Sequence, residues 1–125
     1  MAYEDEYDEE DEEAEEATYT PYDEAINCID QEGPYGGRVV SWSSPDVNGN
    51  PLFINIGADY PDDSRLTVVI WGENREEFID NLGDALLDED VVVWGTPYEY
   101  NGAAQIEVTD PSELMTYEEY QESVG

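Results

Sequence analysis

The chain has 125 residues and combines 34 Asp and Glu with three Arg, no Lys and no His, giving a formal net charge of −31. Nucleic-acid binding through a basic groove has almost no side chains available, because phosphate contacts depend on Lys and Arg. Sites that need a histidine base or a phosphate-binding lysine are excluded because the chain contains neither residue. The sequence therefore predicts a protein that is not an enzyme, has no metal or cofactor, and attracts basic partners.

The N-terminal segment is the most acidic part of the chain. Residues 1–16 hold eleven of the 34 acids and no aliphatic side chain larger than alanine after Met1. Such a segment cannot bury enough apolar surface to offset the entropy of ordering. We expect a disordered acidic tail and connector over residues 1–22, one domain over residues 23–116, and a polar tail over residues 117–125. With no signal-peptide pattern and no long apolar run, we expect a cytoplasmic protein without a membrane partner, in the host cytoplasm if it is viral.

Short runs of alternating apolar residues predict five strands. They cover Gly36–Trp42, Pro51–Gly57, Arg65–Trp71, Asp90–Tyr98 and Ala103–Val108. The segment at residues 25–30 either begins the first strand or precedes it. The dipeptides Asn48-Gly49 and Asn101-Gly102 tolerate positive φ angles, so both predict β-hairpins.

One helix is predicted between the third and fourth strands, over residues 74–87. Asn74 is a candidate N-cap with Glu77 three residues later, and apolar residues from Phe78 to Leu86 recur at helical spacing. The chain is therefore predicted to be all-β with one helix, in the order β-β-β-α-β-β. That is the order of the five-stranded OB-fold barrel.

Three segments carry a resemblance to a bacterial group of OB-fold, nucleic-acid-binding-like domains. They are "PLFINIGADYP", "RLTVVIWGENREEF" and "VVVWGTPYEYNGAAQIEVTDPSEL", and the likeness covers about residues 25–114. The resemblance implies an OB-fold barrel. Members of the group commonly carry lysines in the barrel loops and around the last hairpin, where this sequence has Asp, Glu or neutral residues. The chain is thus similar to an acidic, DNA-mimic-like version of that group.

Acids at the predicted loop and strand ends form the candidate partner-binding surface. They are Asp59, Asp62, Asp63, Glu73, Asp88, Glu89, Asp90, Glu99 and Glu107. We expect these carboxylates to imitate the phosphates of nucleic acid and to occupy a basic site on a DNA- or RNA-handling protein. Small size, extreme acidity and the absence of Lys resemble the DNA-mimic inhibitors that phages use against host defence.

Two other functions stay open. The first is single-strand nucleic-acid binding by a salt-adapted acidic OB-fold, with aromatic side chains stacking on bases. The candidate stacking residues are Trp42, Phe53, Trp71, Trp94, Tyr98 and Tyr100, which could instead pack under the helix or close the barrel ends. Arg38, Arg65 and Arg75 are expected to form intramolecular ion pairs rather than a phosphate clamp. The second function is a structural or virion-assembly role.

A calcium loop is the one metal motif that the sequence approaches. Asp46, Asn48 and Asn50 match its first three ligand positions, but Pro51 stands where the sixth-position glycine is needed. The segment is therefore interpreted as a hairpin turn.

Overall fold

The computed structural model describes residues 18–124, so the predicted acidic tail over residues 1–16 lies outside the described part of the chain. Eight strands and few helices make residues 18–124 mostly β-sheet. The strands are β1 (Thr20–Pro21), β2 (Gly33–Ser43), β3 (Leu52–Ile56), β4 (Leu66–Ile70), β5 (Asp90–Gly95), β6 (Tyr98–Tyr100), β7 (Ala103–Glu107) and β8 (Leu114–Thr116). The helices are α1 (Gly72–Arg75), α2 (Leu82–Leu86) and α3 (Tyr117–Val124), with 3₁₀ turns at Tyr22–Asn27 and Pro111–Glu113.

The strands form one sheet in the order β6-β7-β4-β3-β2-β5-β8, with β1 added in parallel to β2. The long strand β2 pairs with β5 through its first half and with β3 through its second half. Its register with β3 shifts between Val39 and Ser41, at the junction of these two halves. Strands β4 and β7 run parallel, whereas β3 and β4 are antiparallel neighbours.

Closure of the sheet into the expected five-stranded OB-fold barrel is not confirmed. Within residues 18–124 the sheet is open, because β5 and β7, whose pairing would close it, are not hydrogen-bonded neighbours. They come close at one point, where a Cβ built on Gly95 would lie 2.5 Å from Ile106 Cγ2. The predicted strand at Asp90–Tyr98 is split into β5 and β6 around Pro97, since proline cannot donate to a strand ladder.

The core lies on the inner face of this sheet and confirms the predicted alternation. The side chains of Ile54, Ile56, Leu66, Val68 and Ile70 have no solvent-exposed area. Val91, Val93 and Ile106 complete the layer from the neighbouring strands. Burying one such side chain is worth about 1.5–3 kcal/mol, so this inner layer accounts for much of the driving force for the fold.

The single helix predicted over residues 74–87 is wrong. The segment forms two short helices, α1 and α2, and Asn74 does not cap α1, whose N-cap position is Trp71. Glutamates and aspartates repeat at three- and four-residue spacing here, which destabilises a continuous helix. Gly83 also lowers helix propensity, but a Cβ at this position would lie 2.4–2.7 Å from the Trp42 ring.

Regular structure extends to both ends of the described chain, as β1 (Thr20–Pro21) and α3 (Tyr117–Val124). The Tyr22 ring covers Gly37 and Gly57, so the last residue of the expected tail and connector packs on the sheet. At the other end, the expected polar tail over residues 117–125 contains α3. Thr116 Oγ1 accepts from the Glu119 backbone N–H at 3.2 Å, and Glu119 Oε1 accepts from the Thr116 N–H at 3.0 Å. This reciprocal pair is a capping box that starts the helix.

None of the helices in residues 18–124 has the length and apolar character needed to cross a membrane.

Candidate ligand groove and acidic surface

A groove of about 360 Å³ lies on the outer face of β3, β4 and β7. Residues directly opposite each other in a sheet share a face, and the register places Asn55 opposite Thr67 and Thr67 opposite Gln105. These three polar side chains therefore form a row across the floor of the groove. The remaining lining residues are Ser43, Phe53, Tyr60, Pro61, Asp63, Arg65, Tyr100 and Asn101. We call this site the Arg65 groove.

Arg65 is the cation of this groove and is only 7% exposed. Its Nε donates to Thr67 Oγ1 at 3.2 Å, and its Nη1 donates to the backbone carbonyl of Asp62 at 2.9 Å. The guanidinium carbon lies 4.9 Å from the centre of the Tyr60 ring, within cation–π range. Within residues 18–124 it has no carboxylate partner at ion-pair distance, so the expected ion pair is wrong for Arg65.

A chain of hydrogen bonds runs from Arg65 across the groove floor. Thr67 Oγ1, which accepts from Arg65, donates to Asn55 Oδ1 at 2.8 Å. Asn55 Nδ2 donates to Ser41 Oγ at 3.0 Å, and Ser41 Oγ donates to Asp59 Oδ1 at 2.7 Å. In all four hydrogen bonds the donor lies on the Arg65 side and the acceptor on the Asp59 side. The buried Arg65 cation is thus connected to the exposed Asp59 carboxylate through three neutral side chains.

The acidic loop between β3 and β4 forms the rim of the groove. Asp59 is held by Ser41 and by the backbone N–H of Tyr60 at 2.8 Å. Asp62 accepts from both the backbone N–H and the hydroxyl of Ser64, and these hydrogen bonds lower the pKa of its carboxyl group. Asp63 is exposed and lines the groove beside the Asn101-Gly102 turn. Three of the nine predicted partner-binding acids therefore lie together at one edge of this face.

The other six predicted acids are exposed but lie elsewhere. Glu107 and Glu99 lie on β7 and β6, beyond the groove floor, and Glu73 lies in α1. Asp88, Glu89 and Asp90 lie together at the start of β5, where Asp90 pairs with Arg38 at 3.6 Å. The nine residues are thus distributed over several faces rather than gathered into one site.

Three of the six predicted stacking residues lie in or beside the groove, and three lie outside it. Phe53 and Tyr100 line the groove, and Tyr98 adjoins it through a 2.9 Å hydrogen bond from its hydroxyl to Gln105 Oε1. The three tryptophans lie outside it, and Trp42 and Trp94 are 36% and 46% exposed. Trp42 packs on Gly83 and donates to Asp84, Trp71 packs on Gly49, and Trp94 donates to Glu32.

Tyr98 is the group near the groove with the largest shift in acidity. Burial, followed by the nearby Glu107 carboxylate, raises the pKa of its phenol to about 12. The hydroxyl lies 3.3 Å from Glu107 Oε2 and donates to Gln105, so it acts as a neutral donor between two acceptors.

Ser41, Asn55, Tyr60, Thr67 and Gln105 were not among the predicted site residues. The sequence contained a signal for three of them, because Asn55 and Thr67 are single polar residues in otherwise apolar strands and Gln105 lies between Ala104 and Ile106. What the sequence did not provide was the register that aligns them with Ser41. Arg75, also expected in an ion pair, instead donates to Ser44 Oγ at 2.8 Å and to the Asn50 carbonyl at 3.2 Å. Across residues 18–124, no three potential metal-ligating side chains converge.

Comparison with known proteins shows the fold and no family. No protein-family model matches the chain, and no curated protein matches its sequence. Its structure is similar to OBody AM1L10 bound to hen egg-white lysozyme, with a TM-score of 0.53, 16% identity, and coverage of 81% of this chain and 90% of that chain. This similarity supports the OB-fold expectation.

Two synthetase structures show the same likeness. A chain assigned as an aspartyl-tRNA synthetase from Leishmania major Friedlin has a TM-score of 0.52 and 14% identity, over 94% of this chain and 22% of that chain. The aspartyl-tRNA synthetase from Entamoeba histolytica has a TM-score of 0.50 and 10% identity, over 80% of this chain and 21% of that chain. The present chain thus spans about a fifth of either synthetase, and at these identities the likeness shows a shared fold alone.

Proposed function

We propose that this protein is a non-catalytic, OB-fold-like interaction protein whose acidic surface takes the place of nucleic acid on a basic site of a DNA- or RNA-handling protein. The observation that carries the proposal is the exposure of its carboxylates. Of the 23 Asp and Glu in residues 18–124, 22 are exposed and Glu113 is half-buried. The same residues include three arginines, and these form one ion pair, between Arg38 and Asp90. The surface therefore has a large excess of negative charge that attracts a basic partner.

The loop between β3 and β4 is well suited to present this charge. Hydrogen bonds from Ser41 and from the Tyr60 N–H hold Asp59, and hydrogen bonds from Ser64 hold Asp62. Fixing a carboxylate before binding lowers the entropy cost of association. This loop joins the two strands whose outer face is a binding face in OB-folds. The OBody that shares the fold is itself bound to a protein, which supports a protein as the occupant.

The chemistry of the chain favours a binding role. With no His and no Lys anywhere in the sequence, a histidine general base and a phosphate-binding lysine are missing. The perturbed tyrosine Tyr98 stays protonated as a hydrogen-bond donor at neutral pH, because its pKa lies near 12.

Direct binding to labelled single-stranded DNA and RNA tests the proposal. At about 0.1 M salt, where charges act over about 10 Å, we expect no change in fluorescence anisotropy, since the carboxylates repel phosphates. Micromolar binding of either oligonucleotide under these conditions would contradict the proposal.

A second candidate function is single-strand nucleic-acid binding with a salt-adapted surface. The observation that favours it is the group of rings at the groove, formed by Phe53, Tyr60 and Tyr100. Stacking of a base on an aromatic ring contributes about 1–3 kcal/mol. This function predicts oligonucleotide binding at about 1 M salt, where the Debye length falls to about 3 Å and repulsion is screened. The interaction-protein proposal predicts none at either salt concentration.

A further inference from the structure

The Arg65 guanidinium has hydrogen-bonding capacity that the protein does not use. Of its five N–H groups, one donates to Thr67 and one to the Asp62 carbonyl, which leaves three without a protein acceptor in residues 18–124. The side chain is 93% removed from solvent and lines an open groove. Buried N–H groups of a charged side chain that lack an acceptor are costly, so these three groups favour a ligand that brings a carboxylate or another strong acceptor.

The same groove contains a group of opposite charge. Asp63 lines it, is exposed, and has no hydrogen-bond or ion-pair partner among the described residues. A ligand that satisfied Arg65 with a carboxylate could therefore also place an ammonium group on Asp63. An anion alone would leave Asp63 unpaired, and it would also be repelled by the acidic surface.

Three aromatic rings line the same groove as these two charged groups. Phe53 is half-buried in the groove, whereas Tyr60 is 71% exposed and Tyr100 is 56% exposed. Exposed rings around a groove favour an aromatic ligand, because ring pairs contribute about 0.5–1.5 kcal/mol beyond the burial of their area. The volume of about 360 Å³ is at the lower end of the range for small-molecule sites, which suits a ligand with one ring system.

We propose that the Arg65 groove binds a small aromatic zwitterion of the α-amino-acid type. Its carboxylate accepts from the free N–H groups of Arg65, its ammonium group pairs with Asp63, and its ring lies among Phe53, Tyr60 and Tyr100. Because a zwitterion has no net charge, the strongly negative surface does not repel it. This site shares Asp63 with the acidic partner-binding surface, but it does not require that proposal to hold.

Three related probes separate the contributions of the two charged groups. L-phenylalanine has both groups, 3-phenylpropionate lacks the ammonium group, and phenethylamine lacks the carboxylate. NMR titration of the backbone amides around the groove measures the affinity of each probe. We expect phenylalanine to bind at least about fivefold more tightly than either fragment. Equal binding of phenethylamine and phenylalanine would overturn the proposal, since attraction to the acidic surface would then explain both.

Substitutions at exposed positions test the assignment without disturbing the core. Asp63→Asn is expected to abolish the preference for phenylalanine over 3-phenylpropionate, and Tyr100→Ala is expected to weaken both ligands. Glu122→Gln, which makes the same change of charge on α3, should leave all the affinities unchanged.

Two further results would contradict the proposal. The first is the absence of amide shifts for phenylalanine at about 10 mM, a concentration that detects even weak ligands. The second is saturable binding of guanosine without binding of phenylalanine, which would assign the groove to a nucleobase.

Discussion

Arg65 and Asp59 lie at opposite ends of one chain of hydrogen bonds that passes through Thr67, Asn55 and Ser41. The chain connects a cation that is 7% exposed with a carboxylate on the rim of the groove. It therefore links the floor of the groove to the acidic loop that we propose contacts a basic partner.

Breaking this chain at Thr67 should destabilise the fold. Thr67→Val keeps the shape of the side chain but removes the acceptor of Arg65 Nε and the donor to Asn55 Oδ1. Leaving two such groups unsatisfied should lower the free energy of unfolding by about 1–3 kcal/mol, measured by urea denaturation. Thr96→Val, at an exposed position, is the matched control and should change it by less than about 0.5 kcal/mol. Equal effects of the two substitutions would show that the chain does not contribute to stability.

Gly83→Ala should also be destabilising, although alanine is the better helix former. A methyl group at this position would lie 2.4–2.7 Å from the Trp42 ring, which must move and lose its 3.1 Å hydrogen bond to Asp84. We expect a loss of about 1–3 kcal/mol and a change in tryptophan fluorescence. Gly33→Ala is the control, because a Cβ there has no neighbour within 4 Å. A stabilised Gly83→Ala variant would mean that helix propensity outweighs this contact.

Tyr98 should make stability depend on pH at the alkaline end. Its phenol has a pKa of about 12 in the folded chain and an ordinary value of 10.0, so the folded state retains the proton more strongly. This contribution is intact below about pH 10 and is lost as the pH rises toward 12. Tyr98→Phe should therefore lose less stability than the unmodified chain over that interval, as followed by urea denaturation at each pH.

Glu107→Gln tests independently whether the Glu107 carboxylate helps to raise the pKa of Tyr98. Removing the carboxylate should lower the pKa of Tyr98, which can be followed by tyrosinate absorbance with Tyr98→Phe as the reference. An unchanged titration would show that burial alone raises the pKa.

The start of α3 offers a test of its capping box. Thr116→Val removes the hydroxyl that accepts from the Glu119 N–H, which should cost about 1 kcal/mol and reduce the helical circular dichroism signal. Thr109→Val, whose exposed side chain makes no capping contact in the described structure, should leave the signal unchanged. If both variants behave alike, the box does not determine the start of this helix.

The inner face of the sheet could be predicted from sequence because the alternation of Leu52, Ile54 and Ile56 directly encodes it. The turn at Asn101-Gly102 could be predicted for a similar local reason, and both residues have the expected positive φ angles, of 53° and 88°. In the loop that contains Asn48-Gly49 the positive φ angles lie one residue later, at Gly49 (88°) and Asn50 (46°). The start of α3 also had a local signal, since Thr116 and Glu119 have capping-box spacing.

The helical region and the groove depended on information that is not local. Apolar spacing predicted one helix over residues 74–87, but the contact between Gly83 and Trp42 connects residues 41 positions apart. The groove was missed because it depends on the register of β3, β4 and β7, which aligns Asn55, Thr67 and Gln105. Alternation gives the face of each residue but not its partner on the next strand.

The proposed function requires the acidic loop beside the groove to bind a basic site in place of nucleic acid. The most direct measurement is displacement of a labelled oligonucleotide from a panel of purified nucleic-acid-binding proteins with pI above about 9, at about 0.1 M salt. The test pair is Asp62→Asn/Asp63→Asn, in the loop, and Glu118→Gln/Glu122→Gln, which removes the same charge from α3. We predict that the unmodified chain displaces the oligonucleotide from at least one member, that the loop variant is at least about threefold weaker, and that the α3 variant is unchanged. Absence of displacement from every member, or equal weakening by both variants, would contradict the claim.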